Sequence, residues 1–180
     1  MIRKTVLLVV ALAAFAASLA GPVSASNGKI GFGFNATEIK GFRTGAVALS
    51  GGGAVDPATG FAHSSGGFGC LQDVAQGPLN GCLAGQGVRW DTAALLSGTS
   101  FKCTGAATEA LKPIATGPTT VVLQADFYRA GDGNDESFKA QIIISQDDIA
   151  PDILGVQNVW VQGVGCGSAV GGFNIGGSAG

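Results

Sequence analysis

The chain has 180 residues, and only 12% of them are charged, about half the share in an average globular domain. Its formal net charge is −2. This balance argues against nucleic acid and anionic membranes as main partners, because both attract strongly basic surfaces.

The first 25 residues have the organisation of a secretory signal peptide. Arg3 and Lys4 precede an apolar run over 5–20, and small residues follow up to Ala25. The run is shorter than the roughly 20 residues that a membrane-spanning helix needs. We therefore predict cleavage after Ala25 and secretion of the mature domain 26–180, with no membrane span left. Because so few residues are charged, the surface of this domain is also compatible with self-association.

Period-two alternation predicts strands in the first half of the mature chain. Ile30, Phe32 and Phe34 alternate with small or polar residues, and a second strand is expected over 44–50. Turn residues at 56–60 follow, with Asp, Pro and Gly in positions that favour a tight turn. A short hairpin is therefore predicted around this turn.

The clearest predicted element is an antiparallel hairpin over 120–145. Its arms carry apolar residues at every second position, and a register that sets Val121 opposite Ile144 aligns these faces. A one-residue slip would turn every such side chain to the wrong face. The same register sets Gln124 opposite Gln141, Asp126 opposite Lys139 and Arg129 opposite Glu136.

The remaining elements complete a mainly β domain. A strand is expected over 158–166, with Trp160 on the opposite face from its neighbours, and short helices are expected over 92–96 and 106–112. The Gly-rich tail 171–180 follows. We predict a single antiparallel β-sandwich or closed β-barrel with one or two short helices, because closure removes exposed strand edges.

The four cysteines are expected to form two disulfides, since their number is even in a chain predicted to be exported. None of them has the CxxC spacing of a redox or zinc site. Turn signals between Cys70 and Cys82 favour a local bond there. Cys103 and Cys166 would then form the long-range bond, although three pairings are possible from the sequence.

Two segments are candidate binding sites. Arg89, Trp90 and Asp91 could contact a ligand such as a carbohydrate, or Trp90 could pack inside while Arg89 pairs with an acid. The acidic loop offers oxygen ligands for calcium. Its candidate ligands are Asp132, Asn134, Asp135 and Glu136. The loop lacks the glycine of an EF-hand, and the alternative is an ordinary polar hairpin loop.

Catalytic motifs are missing from the sequence. His63 is the only histidine, and no nucleophile elbow, metalloprotease motif or dinucleotide fingerprint accompanies it. We predict no cofactor and a non-enzymatic extracellular domain with an interaction or structural role. One alternative is a barrel that binds a small ligand in an apolar cavity lined by Phe127, Phe138 and Ile142. A secreted hydrolase that uses His63, or a pair of acids brought together across loops, is the less favoured alternative.

Two stretches carry a resemblance to other proteins. The first is CLQDVAQGPLNGCLAGQGVRWDTAALLSGTSFKCTG, and the second is LQADFYRAGDGNDESFKAQIIIS with the nearby DIAPDILGVQNVWVQGVGCGSA. They resemble a group of small secreted bacterial proteins of unassigned function that share a four-cysteine, β-rich domain. The resemblance covers 67–170 and all four cysteines. It implies export and a common disulfide framework, and it transfers no catalytic residue.

Overall fold

The computed structural model describes residues 28–130 and 135–175. The predicted signal peptide, the centre of the acidic loop and the last five residues lie outside this range. The described residues form eleven strands and no helix. The strands are β1 (Ile30–Gly41), β2 (Ala46–Asp56), β3 (Phe61–Gln72), β4 (Arg89–Leu95), β5 (Gly98–Phe101), β6 (Lys112–Ala115), β7 (Thr120–Tyr128), β8 (Phe138–Ser145), β9 (Val159–Val161), β10 (Gly165–Gly167) and β11 (Val170–Ile175).

Nine strands form one antiparallel sheet, in the order β10-β9-β8-β7-β4-β3-β2-β1-β11. β10 also pairs with the end of β1, where Lys40 lies opposite Cys166, so the sheet closes into a ring. β11 continues along the same edge of β1 from Asn35 to Ile30. The mainly β prediction is confirmed, and of its two architectures the structure has the closed one.

Aromatic side chains fill the inside of the ring. The Phe34 and Trp90 rings lie 6.2 Å apart, and the Phe68 ring meets Phe127 edge-on at 4.8 Å. Glycines on the facing strand make room for these rings. A Cβ atom at Gly51 would lie 2.7 Å from the Trp90 indole, closer than two carbon atoms can pack. The interior is therefore occupied by its own side chains.

The predicted hairpin is present as β7 and β8, in the predicted register. Val121 lies opposite Ile144 and Asp126 lies opposite Lys139. Sheet pairing ends at Phe127 and Phe138, so the ladder does not reach the expected pair of Arg129 and Glu136. The turn at 56–60 is also confirmed, with β2 and β3 pairing on either side of it and Gly60 at φ +74°.

A second layer covers one part of the outer wall. The two-stranded sheet β5–β6 and the connection 146–158 bury the outward side chains of β7, β8, β9 and β10. Trp160 is 4% exposed and packs 5.7 Å from the Phe101 ring. The single strand predicted over 158–166 is instead the antiparallel pair β9 and β10, and all three residues of β9 are buried. The layer is joined to the ring by the Cys103–Cys166 disulfide.

The expectation of short helices is wrong for the described residues. The segment expected as the first helix belongs to β4, where Thr92 pairs with Ala125 and Leu95 with Leu123 of β7. Tertiary pairing with β7 outweighs a weak local helix signal. In the second segment the Glu109 amide bonds to the Ala106 carbonyl in one turn, and β6 then begins at Lys112. No helix in the described range is long and apolar enough to span a membrane.

Candidate functional site

The predicted contact group of Arg89, Trp90 and Asp91 is divided between two faces of β4. Trp90 is fully buried, and its Nε1 donates a 2.9 Å hydrogen bond to the Ser50 carbonyl. Arg89 and Asp91 point outward because side chains alternate along a strand. Their side chains form a 2.7 Å ion pair. This is the arrangement of the packed-tryptophan alternative.

The sheet brings the outward pair together with charged residues of two further strands. Asp91 lies opposite Asp126 of β7, and Asp126 lies opposite Lys139 of β8. Arg89 lies opposite Tyr128. We call this surface the charged ladder. It consists of Arg89, Asp91, Asp126, Tyr128, Glu136 and Lys139.

Each cation of the charged ladder offsets carboxylates that would otherwise repel one another. Lys139 Nζ is 3.2 Å from Asp126 Oδ1, which is buried, and 3.3 Å from Glu136 Oε2. Hydrogen bonding to Asp126 and Glu136 raises the pKa of Lys139. The Arg89 guanidinium lies 4.1 Å above the Tyr128 ring in a cation–π contact. The ladder is thus a connected surface in which arginine and tyrosine are held in place.

The calcium prediction falls only partly within the described residues. Asp132 and Asn134 lie outside them, whereas Asp135 and Glu136 are exposed. Glu136 is engaged with Lys139. Between residues 28–130 and 135–175, no group of three or more His, Cys, Asp or Glu side chains could hold a metal ion. Calcium binding stays a prediction.

His63 lies exposed on β3, opposite Ala54 of β2. Its imidazole has no hydrogen-bond partner in the part of the chain that the structure describes. The neighbouring Ser64 points inward and bonds to the Thr92 hydroxyl. A hydrolase needs its base in contact with a nucleophile, and His63 makes no such contact here.

Both favoured disulfides are confirmed. Cys70 is bonded to Cys82 across twelve positions, and Cys103 is bonded to Cys166 across sixty-three. The shorter bond closes the loop after β3. The longer bond fastens the second layer to β10.

Beside the longer disulfide lies a buried carboxylate that the sequence interpretation missed. Glu109 accepts hydrogen bonds from the Thr104 hydroxyl at 2.6 Å and from the Cys103 and Thr104 amides at 2.7 and 2.8 Å. Its carboxylate also pairs with Lys112 at 3.0 Å. Burial raises the pKa of Glu109, but the hydrogen bonds lower it by more, so that the pKa is about 2. In the sequence, the available signal for this contact was an acidic residue a few positions after Cys103 and Thr104.

The charged ladder was also missed as a whole, because 92–96 was expected to be helical. The signal was present in the alternation of Arg89 and Asp91 around an aromatic residue, which is typical of a strand. To predict the ladder, a strand at Arg89 and Asp91 would also have had to be assigned a neighbouring strand in the sheet. The sequence alone does not identify β7 as that neighbour.

Comparisons with protein-family models, curated proteins and solved structures return no match for this chain. The resemblance to small secreted bacterial proteins therefore stays a prediction. Function has to be inferred from the fold and the charged ladder.

Proposed function

We propose that the protein is a non-enzymatic extracellular domain that binds a protein partner through the charged ladder on its outer wall. The observation that carries this proposal is the Arg89 guanidinium stacked 4.1 Å above Tyr128. Arginine and tyrosine are enriched among the residues that dominate protein interfaces. The ion pair with Asp91 and the sheet backbone hold this pair before binding, which lowers the entropic cost of association.

The disulfides support the extracellular part of the proposal. All four cysteines are bonded, and disulfides persist mainly in oxidising compartments outside the cytoplasm. The predicted signal peptide also indicates export. Export would place the outer wall in contact with other secreted or surface proteins.

The packing inside the ring does not favour a small-ligand barrel. Phe127 and Ile142, which were expected to line a cavity, are fully buried in the core. Phe138 packs against the same core from its rim. A ligand in this position would have to displace aromatic contacts such as that between Phe68 and Phe127.

Export is tested by expressing the whole chain in a bacterial secretion host and measuring the mass of the protein in the medium. We expect a chain that begins at Ser26 and lacks the four hydrogens lost in forming two disulfides. A full-length or reduced product confined to the cells contradicts the extracellular proposal.

Partner binding is tested with a photo-cross-linking amino acid at Ser65, which is exposed and lies opposite Asp91. The matched control carries the same group at Asn80, an exposed position in the disulfide-closed loop. In the secreted fraction of the organism that makes the protein, we expect a discrete adduct from position 65 only. The substitution Arg89→Gln should abolish it. Equal adducts from both positions, or none, would overturn the proposal.

A further inference from the structure

A cleft of about 730 Å³ lies where three connecting segments meet, and we call it the end cleft. Its walls come from the turn after β1, the segment after β3 and the turn that precedes β6. The residues that characterise it are Phe42, Arg43, Ala75, Gln76, Thr104 and Ala107. None of them belongs to the charged ladder.

The walls of the end cleft are fixed by hydrogen bonds. The Phe42 amide donates to the Val164 carbonyl at 3.0 Å. Gln76 bonds to both the side chain and the carbonyl of Thr44, and its Nε2 donates to the Gly163 carbonyl at 2.9 Å. A ligand would therefore meet a preformed shape and would not have to order these segments.

Two cations beside the end cleft lack carboxylate partners. Arg43 is exposed, and its side chain makes no ion pair within residues 28–130 and 135–175. Among the described residues, Lys102 Nζ donates only to the Ala106 carbonyl, at 3.1 Å, and Ala106 lines the cleft. The nearby Glu109 carboxylate is already engaged by Lys112 and the turn. Arg43 is thus the one charged residue among those that line the cleft, and Lys102 contacts that lining at the Ala106 carbonyl.

Besides Arg43 and the polar residues Thr44, Gln76 and Thr104, the cleft is lined by apolar residues and glycine. The Phe42 ring packs against the turn at Gly105, where an added Cβ would lie 2.7 Å from the ring. Gly105 also has φ +67°, a conformation that glycine adopts without strain. The methyl groups of Ala75, Ala106 and Ala107 complete this surface. An aromatic ring and methyl groups beside an arginine suit a ligand with one charged end and one apolar end.

We propose that the end cleft binds a small organic anion, with its acidic group on Arg43 and its apolar body against Phe42. A guanidinium forms paired, charge-assisted hydrogen bonds with the oxygens of a carboxylate or phosphate. Lys102 adds a second positive charge. This site is independent of the proposed partner surface, since it uses different residues and a different ligand.

The test is an NMR titration of isotope-labelled mature protein with benzoate, phenyl phosphate and the uncharged analogue benzyl alcohol. We expect the two anions, and not benzyl alcohol, to shift amide signals in 41–44, 75–76 and 104–107. The anion with the larger affinity identifies the preferred acidic group. Arg43→Gln should weaken binding about tenfold or more, the effect of losing a hydrogen bond to a charged group.

The matched control is Lys29→Gln. Lys29 is an exposed cation that precedes β1, and the twelve residues of that strand separate it from Arg43 by roughly 40 Å. The control should bind both anions like the original protein, and unchanged spectra outside the cleft would show that each variant is folded. Absent shifts, equal shifts with benzyl alcohol, or equal weakening by Lys29→Gln would overturn the proposal. None of these results depends on the partner experiment.

Discussion

The indole Nε1 of Trp160 donates a 2.8 Å hydrogen bond to the main-chain carbonyl of Lys102. The bond links the outer face of β9 to the residue that follows β5. It lies beside the Cys103–Cys166 disulfide, so a covalent and a polar link fasten the second layer at one place. The stability of this layer should therefore depend on a few identifiable contacts.

Trp160→Phe should lower the free energy of unfolding by about 1–2 kcal/mol. Phenylalanine keeps an aromatic ring beside Phe101, but it leaves the Lys102 carbonyl without its donor and part of the site unfilled. Urea denaturation of the mature protein measures the change. Phe61→Leu, at a side chain that is 42% exposed, is the control and should alter stability by less than about 0.5 kcal/mol. Equal effects would contradict the role of the indole.

Glu109 should make stability depend on pH. Because folding lowers its pKa from 4.5 to about 2, its contribution is complete above the unfolded value and is lost as pH falls through the folded value. The shift corresponds to about 3 kcal/mol at neutral pH. We expect Glu109→Gln to destabilise the protein at pH 7, with the difference from the original protein nearly gone at pH 2.

Denaturation of both proteins over this pH range tests the expectation. Glu38→Gln serves as the control, because Glu38 pairs with Lys40 at an exposed site and should contribute less than about 1 kcal/mol. A difference between Glu109→Gln and the original protein that persists unchanged at pH 2 would contradict the expectation.

The two disulfides should differ in their effects on stability. Replacing Cys103 and Cys166 together with serine should cost about 4 kcal/mol, against about 3 kcal/mol for Cys70 and Cys82. The longer bond restricts a larger loop in the unfolded chain. Urea denaturation of the two double variants measures the order. A greater loss from the shorter bond would show that native contacts outweigh loop entropy.

Gly66→Ala should destabilise the ring by about 2 kcal/mol or more. A Cβ atom at this position would lie 1.8 Å from the Ser50 carbonyl oxygen, so β2 and β3 would have to separate. Gly117→Ala is the control, because nothing lies within 4 Å of its added Cβ. Thermal denaturation should show a loss for the first variant alone. Similar melting of both would contradict the close approach.

The sequence predicted the hairpin register well and the second layer poorly. Val121, Asp126 and their partners are joined by a short connection, so matching faces and charges limit the pairing to one choice. β5 and β6 show little alternation of apolar and polar residues. Their place in the structure depends on packing over the outward side chains of the ring. For the same reason the burial of Glu109 beside Cys103 could not be read from the pattern, which showed only an acid in a polar segment.

Sequence alone therefore determined the strand-rich character and the β7–β8 register, because these follow from local alternation and matching faces. It favoured the observed disulfide pairs through the turn residues between Cys70 and Cys82, and the structure decided among the three pairings. The tertiary structure decided that β4 pairs with β7, that β10 closes the ring on β1, and that Arg43 borders a cleft. Those contacts join segments that are distant along the chain. Their energies depend on packing between whole strands, which no local pattern encodes.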